Sequence, residues 1–340
     1  MDNWILNGVR NLVNTPAASA EISPTQVKVK VTHLLLSNYD ALLWGGEITA
    51  KYPKTLGRFA VGIVTEAGAD CYGIKKNKRV YLHPARGCGK CLACKSGKKE
   101  NCTDIALAGR DFDGFLRDFV VCDYTEVTPL PDNLDDMLAL CIEMTGIAEN
   151  IYDKLNLSAG QRVAVIGGDF MGNIIAQVLQ YHKLIPIVIE NNPSNLDKAK
   201  KCGISYAFPD DDDLEGNVTD ATSGELCDAA IYSASSRLPM NLPARLIGKE
   251  KSIVLSGYTA MHSNIDVCDV LEKNLKIFGV TNAYGYTDGV INMLLRGAVR
   301  TDVFDIEVKT EYDPAALIAE RYENIASSNK AKMTVLKMIL

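Results

Sequence analysis

Apolar and polar residues alternate in the first part of the chain. Val27, Val29 and Val31 are separated by lysines, and this two-residue period is typical of a half-buried β-strand. Residues 61–66 and 79–82 predict two further strands, and glycine and proline interrupt the region often. The pattern therefore predicts a β-rich region with many loops over roughly the first 150 residues.

From residue 142 onward the pattern changes to short apolar runs that alternate with helical periodicity. A helix over 142–152 precedes an apolar strand over 162–166, a glycine-containing turn and a helix over 172–183. The predicted elements that follow are strands at 185–189, 205–208, 228–232, 252–255, 275–280 and 334–338, and helices at 195–202, from 286 onward and at 314–326. Strands that alternate with helices of this length predict βαβ units and a doubly wound parallel sheet.

Length and composition fit this two-part organisation. The chain has 340 residues, of which 47% are apolar and 23% charged, as expected for a globular protein of about two domains. Lys and Arg number 36 against 42 Asp and Glu, so the formal net charge is −6, which argues against a nucleic-acid partner. No apolar run approaches the roughly 18 residues that span a membrane, and no secretory signal is recognisable. We therefore expect a cytoplasmic protein that does not enter a membrane.

Four of the ten cysteines lie within one short stretch rich in Gly and Lys, namely Cys88, Cys91, Cys94 and Cys102. Four thiolates at this spacing can surround one Zn²⁺ tetrahedrally, and a closed site of four sulfurs leaves no position for a substrate. The sequence therefore predicts a structural zinc site, in which neighbouring lysines offset the negative charge. Four unrelated buried thiols and an iron–sulfur cluster are the alternatives.

A glycine turn follows the predicted strand at 162–166 and opens the next helix, as in a dinucleotide-binding fold. The candidate cofactor-binding residues, which include an acidic residue at the end of the next strand, are Gly167, Gly168, Met171, Gly172 and Glu190. A carboxylate at position 190 hydrogen-bonds ribose hydroxyls and repels a 2′-phosphate, which favours NAD(H) over NADP(H). The middle glycine of the G-x-G-x-x-G fingerprint is Asp169, whose carboxylate should repel a diphosphate. Loss of dinucleotide binding is therefore the alternative.

Together these features resemble the zinc-dependent medium-chain alcohol and polyol dehydrogenases along essentially the whole chain. The four-cysteine stretch matches the family's structural zinc site residue for residue. The resemblance implies a GroES-like, β-rich catalytic domain over 1–150 and 286–340, with the zinc lobe at 86–103, and a Rossmann dinucleotide-binding domain over 151–285. It also implies a homodimer or homotetramer in which nucleotide domains pair at their sheet edges.

The family's catalytic zinc ligands are replaced in this sequence. Ser37 stands at the position of the cysteine ligand and Arg58 at that of the histidine ligand, with Phe59 in place of the following glutamate. The third position of the polyol branch survives as Glu143. One protein ligand cannot hold a catalytic zinc, which needs three and an open position. A rebuilt metal site from Cys141 and Glu143 is the alternative.

Arg58 and Tyr39 are the candidate replacements for the metal. A buried Glu143 without a cation is costly, so we expect Arg58 to pair with it. Such a pair is either purely structural or able to polarise a substrate carbonyl or bind a substrate anion. Tyr39 stands at the family's Ser/Thr hydroxyl position, and its phenol is either a general acid beside the guanidinium or a packed ring. Ser37 is a candidate hydrogen-bonding partner of a substrate oxygen.

The sequence thus favours an NAD(H)-dependent oxidoreductase that acts on a small molecule without a catalytic zinc. Hydride would pass between nicotinamide and a carbonyl or alcohol carbon, or an activated double bond. The stretch 37–40 also resembles the equivalent region of zinc-free quinone reductases, which favours the double-bond variant. A degenerate family member with a binding or regulatory role is the alternative. It explains four positions together as losses, namely Ser37, Arg58, Phe59 and Asp169.

Overall fold

The chain folds into two compact units, seen in a computed structural model that describes residues 2–16, 21–233, 238–258, 264–327 and 333–338, without the side chains of 326 and 327. The first unit is Met1–Glu143 with Asp305–Leu340, and the second is Met144–Phe304. The first division, after residue 143, precedes the limit predicted at 150. The second division, after residue 304, follows the limit predicted at 285, because the helix predicted from residue 286 packs within the second unit. The extents of the functional domains stay a prediction.

The first unit is built mainly from β-strands. Its strands are β1 (Asp2–Gly8), β2 (Asn11–Pro16), β3 (Gln26–Leu36), β4 (Lys54–Thr55), β5 (Phe59–Ala67), β6 (Arg79–Leu82), β7 (Ala85–Arg86), β8 (Ala106–Leu107), β9 (Phe119–Asp123), β10 (Val127–Pro129), β17 (Ile306–Lys309) and β18 (Met333–Lys337). Its helices are α1 (Asn38–Gly45), α2 (Leu92–Lys95), α3 (Asp136–Ala139) and α11 (Pro314–Ser327), with 3₁₀ turns at Lys99–Asn101 and Tyr124–Glu126. The largest sheet has the order β10-β6-β5-β3-β18-β17, and β9 also pairs with β3.

The second unit alternates strands and helices. Its strands are β11 (Arg162–Ile166), β12 (Ile185–Ile189), β13 (Tyr206–Phe208), β14 (Cys227–Ser233), β15 (Ile247–Ser256) and β16 (Lys276–Val280). Its helices are α4 (Ile142–Leu155, which begins at the end of the first unit), α5 (Phe170–Tyr181), α6 (Pro193–Lys201), α7 (Leu214–Ala221), α8 (Leu242–Arg245), α9 (Val267–Glu272) and α10 (Thr287–Leu295). All strand pairs are parallel, in the order β13-β12-β11-β14-β15-β16. This is the doubly wound Rossmann arrangement, so the predicted fold class is confirmed.

Helices cover both faces of the parallel sheet, which explains why its strands are continuous apolar runs. Val163, Ala164, Val165 and Ile166 of β11 are all 0% exposed, although successive side chains of a strand point to opposite faces. No helix among the described residues is long and apolar enough to cross a membrane.

Candidate functional site

The four clustered cysteines form a compact lobe in the first unit. Their Sγ atoms all lie within 4.8 Å of one another, with Cys88 3.7 Å and Cys91 3.9 Å from Cys102. Four sulfurs about 2.3 Å from a tetrahedral zinc ion would be about 3.8 Å apart. Sulfur donors at these separations fit one structural Zn²⁺, which Cys88, Cys91, Cys94 and Cys102 would hold.

A backbone hydrogen bond within the lobe favours the thiolate form of one of its cysteines. Cys91 caps helix α2, and the backbone N–H of Cys94 donates to its Sγ at 3.4 Å. That hydrogen bond lowers the pKa of Cys91 to about 6, whereas loss of solvation raises the pKa of Cys94 to about 12. Four adjacent thiolates without a cation repel one another, so zinc binding should release protons from this lobe.

Replacing one of these sulfurs should remove the zinc. We expect Cys91→Ser to lose the ion and to lower the melting temperature by roughly 5 °C or more, because a metal that binds only the folded chain stabilises it. Cys71→Ser is the control, since Cys71 lies outside the lobe and donates to the carbonyl of Gln26. Elemental analysis and a thermal melt check both variants, and retention of a full zinc by Cys91→Ser would contradict the assignment.

Arg58 and Glu143 meet in the interior of the first unit. The Nη2 atom of Arg58 lies 3.2 Å from Oε1 of Glu143, and each side chain is 4% exposed. The structure therefore forms the ion pair that the sequence predicts. Burial of both charges makes the pair interdependent, because either group left alone would be a charge without solvent.

Aromatic rings pack against the Arg58 guanidinium. Its Cζ lies 5.0 Å from the ring centroid of Tyr39 and 5.3 Å from that of Phe59. Cation–π attraction of this kind orients a guanidinium and adds to its ion pair. Tyr39 therefore lies beside Arg58, as its predicted role of a general acid next to the guanidinium requires.

A single carboxylate joins the segments that carry Tyr39 and Arg58. Asp40 is fully buried; its Oδ1 accepts from the backbone N–H of Gly57 at 2.8 Å, and its Oδ2 accepts from the backbone N–H and hydroxyl of Ser37. Burial raises the pKa of Asp40, and the hydrogen bonds from Ser37 and Gly57 oppose that rise. This box caps α1 and fixes it to the residue that precedes Arg58.

Ser37 therefore has a structural task that sequence reasoning did not find. Its hydroxyl donates to Asp40 at 2.6 Å and accepts from the backbone N–H of Asp40 at 3.2 Å. A substrate oxygen would have to compete with that carboxylate for the same hydroxyl. The position of Ser37 before a helix with an acidic residue three places on was the available signal, because this is the capping-box pattern.

The short helix before Glu143 is anchored to the large sheet. Asp136 of α3 accepts from Nε of Arg79 at 3.1 Å, and its other oxygen lies 3.2 Å from Nδ1 of His33. The hydrogen bonds from His33 and Arg79 lower the pKa of Asp136. Strands β3 and β6 thus hold the turn that delivers Glu143 to Arg58.

Cys141 and Glu143, the residues of the alternative metal site, both have other partners, which for Glu143 are Arg58 and Tyr81. Cys141 is buried, its Sγ lies 3.3 Å from the carbonyl oxygen of Met137, and burial raises its pKa to about 12. In the part of the chain that the structure describes, the four-cysteine lobe is the sole group of three or more Cys, His, Asp or Glu residues arranged to hold a metal.

The glycine turn after β11 requires its small residues. Gly167 has φ of 99°, and a Cβ on Gly172 would lie 1.8 Å from the carbonyl oxygen of Gly167. Asp169 caps α5, and its Oδ1 accepts from the backbone N–H of Gly172 at 3.1 Å. The backbone fits a dinucleotide-binding turn, but a carboxylate lies at the helix N-terminus where a diphosphate would bind. Met171 lies in the first turn of the same helix.

Glu190 lies at the end of β12 and is hydrogen-bonded to the glycine turn. Its Oε2 accepts from the backbone N–H of Gly168 at 3.0 Å and from the amide of Asn195 at 3.2 Å. Its Oε1 accepts from the backbone N–H of Asn192 at 2.9 Å. The structure thus brings the predicted cofactor-binding residues together around one turn, with Glu190 at 5% exposure.

Comparisons with known proteins agree with this architecture. The profile of the alcohol dehydrogenase GroES-like domain matches residues 23–132. The starvation-sensing protein RspB of Escherichia coli K12 is 26% identical over 310 residues, which are 88% of each chain. The sorbitol dehydrogenase of Halalkalibacterium halodurans is 29% identical over 264 residues, 75% of this chain and 76% of that one.

A solved structure shows the same fold. The crystal structure of the alcohol dehydrogenase RspB from Escherichia coli CFT073 in complex with NADH superposes with a TM-score of 0.82. It covers 99% of each chain at 23% sequence identity. Profile, relatives and fold agree with the cysteine lobe, and along most of its length the chain is similar to zinc-type alcohol and polyol dehydrogenases.

Proposed function

We propose that this oxidoreductase transfers hydride between a nicotinamide cofactor and a carbonyl, alcohol or activated double bond of a small molecule without a catalytic zinc. The observation that supports it most directly is the buried Arg58–Glu143 pair, whose Nη2–Oε1 distance is 3.2 Å. A permanent guanidinium charge takes the position at which the family has a zinc ligand. Four clustered cysteines would hold the one structural zinc.

In the reductive direction, Arg58 and Tyr39 act on the substrate oxygen. The nicotinamide, when bound, supplies the hydride that forms the new C–H bond. The carbonyl π pair moves to oxygen, and Arg58 stabilises the developing negative charge by a charge-assisted hydrogen bond. Tyr39 gives its phenolic proton to that oxygen and regains one from solvent. For an activated alkene, hydride adds to the β-carbon and the C=C π pair shifts to give an enolate, whose oxygen the same two groups stabilise. The α-carbon then takes a proton from solvent.

Glu190 supports a preference for NAD(H) over NADP(H). Its carboxylate is held at the end of β12 by two backbone N–H groups, those of Gly168 and Asn192. A fixed negative charge at this position of a Rossmann fold accepts hydrogen bonds from ribose hydroxyls and repels a 2′-phosphate.

A binding or regulatory protein without redox activity is the second candidate. The observation that favours it is Asp169, whose carboxylate caps α5. A helix N-terminus attracts one anion, and here a side chain of the protein already supplies it. The protein would then bind dinucleotides weakly.

Titration with NADH and NADPH, followed by screening of carbonyls and activated alkenes, separates these candidates. We expect nicotinamide fluorescence to change with NADH at lower concentrations than with NADPH, and cofactor oxidation with at least one substrate class. Binding without turnover of any substrate would contradict the redox proposal, and absence of binding would favour the second candidate.

Tyr39 provides a direct test of the proton-transfer step. We expect Tyr39→Phe to lower kcat by about 100-fold, because a general acid contributes roughly 10²–10⁴-fold, while cofactor affinity stays unchanged. Tyr312→Phe is the matched control, since its phenol contacts Met338 Sδ at 2.8 Å elsewhere in the first unit. Steady-state kinetics checks both, and an unchanged kcat in Tyr39→Phe would assign the ring a packing role.

We also propose that two or more copies associate through the edge of the parallel sheet. Strand β16 ends the six-strand order, and the neighbouring helix α9 exposes Val267 at 64% and Leu271 at 74%. An edge strand beside exposed apolar side chains favours pairing with an identical copy. Sedimentation equilibrium should give two or four subunit masses, and a monomer at micromolar concentration would contradict this.

A further inference from the structure

Tyr81 is a buried phenol in contact with the proposed site that the sequence did not single out. It lies on β6, is 1% exposed, and its hydroxyl donates to Oε2 of Glu143 at 3.3 Å. Glu143 thus uses one oxygen for Arg58 and the other for Tyr81. All three side chains are removed from solvent, so each contact matters for the others.

The sheet fixes the direction of this phenol. Tyr81 pairs with Val61 of β5 on one side and with Thr128 of β10 on the other. Its ring lies 5.5 Å from that of His83, and Nε2 of His83 lies 2.8 Å from the Thr128 hydroxyl. A side chain held between two strands in this way keeps its orientation better than one on a loop.

The hydroxyl of Tyr81 remains a neutral donor. Burial and the nearby Glu143 raise the pKa of Tyr81 well above its usual value of 10. A neutral phenol gives Glu143 a hydrogen bond without cancelling its charge, so the full carboxylate charge stays available to Arg58. A cation at the same place would compete with Arg58 for that carboxylate.

We propose that Tyr81 is a positioning residue for Arg58, which it holds in place through Glu143. The inference rests on the proposed function, because it assigns Arg58 the role of stabilising the substrate oxygen. Without the phenol, Oε2 of Glu143 loses its donor from β6, and the carboxylate can rotate away from Arg58. The guanidinium then loses its fixed direction beside Tyr39.

Tyr81→Phe tests this assignment, since it removes one hydroxyl and keeps the ring. We expect kcat to fall roughly 10-fold, as for loss of a hydrogen bond to a charged group, with the cofactor KM unchanged. We also expect the side-chain N–H protons of Arg58, observed by NMR in ¹⁵N-arginine-labelled enzyme and assigned with Arg58→Lys, to exchange with solvent at least 10-fold faster. Tyr312→Phe should change neither value.

The NMR measurement uses the resting enzyme and therefore does not depend on the substrate or on the proposed reaction. Faster exchange together with unchanged kcat would confirm that Tyr81 holds Arg58 and would overturn the catalytic role of Arg58 instead. Unchanged exchange of the Arg58 protons in Tyr81→Phe, with near-ultraviolet circular dichroism like that of the parent, would overturn the positioning role itself.

Discussion

Replacing Arg58 with methionine is expected to lower kcat by about 100-fold or more and to destabilise the first unit. The substitution removes the charge opposite a developing oxyanion, and loss of such a donor costs about 10²–10³-fold in kcat. It also leaves Glu143, whose side chain is 4% exposed, without its ion-pair partner. Breaking a buried pair from one side costs about 3–5 kcal/mol of unfolding free energy. Steady-state kinetics and urea unfolding measure the two effects.

A double variant separates catalysis from stability. Arg58→Met combined with Glu143→Leu removes both buried charges, and such apolar replacements are often neutral or stabilising. We expect the double variant to recover part of the unfolding free energy, since Tyr81 loses its acceptor on Glu143, while its kcat stays as low as that of Arg58→Met. Recovery of both quantities would show that the pair is purely structural, and recovery of neither would contradict the mutual compensation of the two charges.

Replacing Asp169 with glycine is expected to tighten NADH binding about 10-fold or more. The Asp169 carboxylate accepts from the backbone N–H of Gly172 at 3.1 Å and lies at the N-terminus of α5. A negative charge there stabilises the helix by about 0.3–1 kcal/mol and opposes a second anion at the same place. The same substitution removes an N-cap, so the unfolding free energy should fall by a few tenths to about 1 kcal/mol. Fluorescence titration should thus show a higher affinity for NADH, and urea unfolding should show a lower unfolding free energy.

Asp169→Asn separates the effect of the carboxylate charge on NADH binding from the effect of the size of the side chain. Asparagine keeps a capping oxygen, so we expect tighter NADH binding with little loss of stability. Asp266→Asn is the matched control, because Asp266 caps α9 by accepting from the backbone N–H of Cys268 at 2.8 Å. Unchanged NADH affinity in both Asp169 variants would show that the carboxylate turns away from the cofactor.

The sequence predicts the parallel sheet well because its strands are buried on both faces. Short apolar runs such as β11, bounded by a glycine turn and followed by a helix, are typical of strands buried on both faces. The pattern of apolar and polar residues does not predict helix α1, because Tyr39 through Leu43 are all buried and leave no amphipathic period. The pattern does not predict the hairpin of β1 and β2 either, because its pairing with β4 depends on residues far along the chain.

The site is predictable where a residue stands at a position with a known chemical task. Matching Arg58 and Glu143 to the family's ligand positions is enough to expect their ion pair, because a buried carboxylate needs a cation. Tyr81 has no such motif, and strand register alone places its hydroxyl on Glu143. The hydrogen bond from Gly57 to Asp40 is equally hidden, since it joins segments that no spacing rule relates.

The number of zinc ions per chain tests most directly whether a guanidinium has taken the place of a catalytic metal. Elemental analysis of freshly purified protein should give one zinc per chain, and Cys91→Ser should lose it. Arg58 and Glu143 then remain as a metal-free pair in the active enzyme. Two zinc ions per chain, with one retained by Cys91→Ser, would contradict the replacement of the catalytic metal by Arg58.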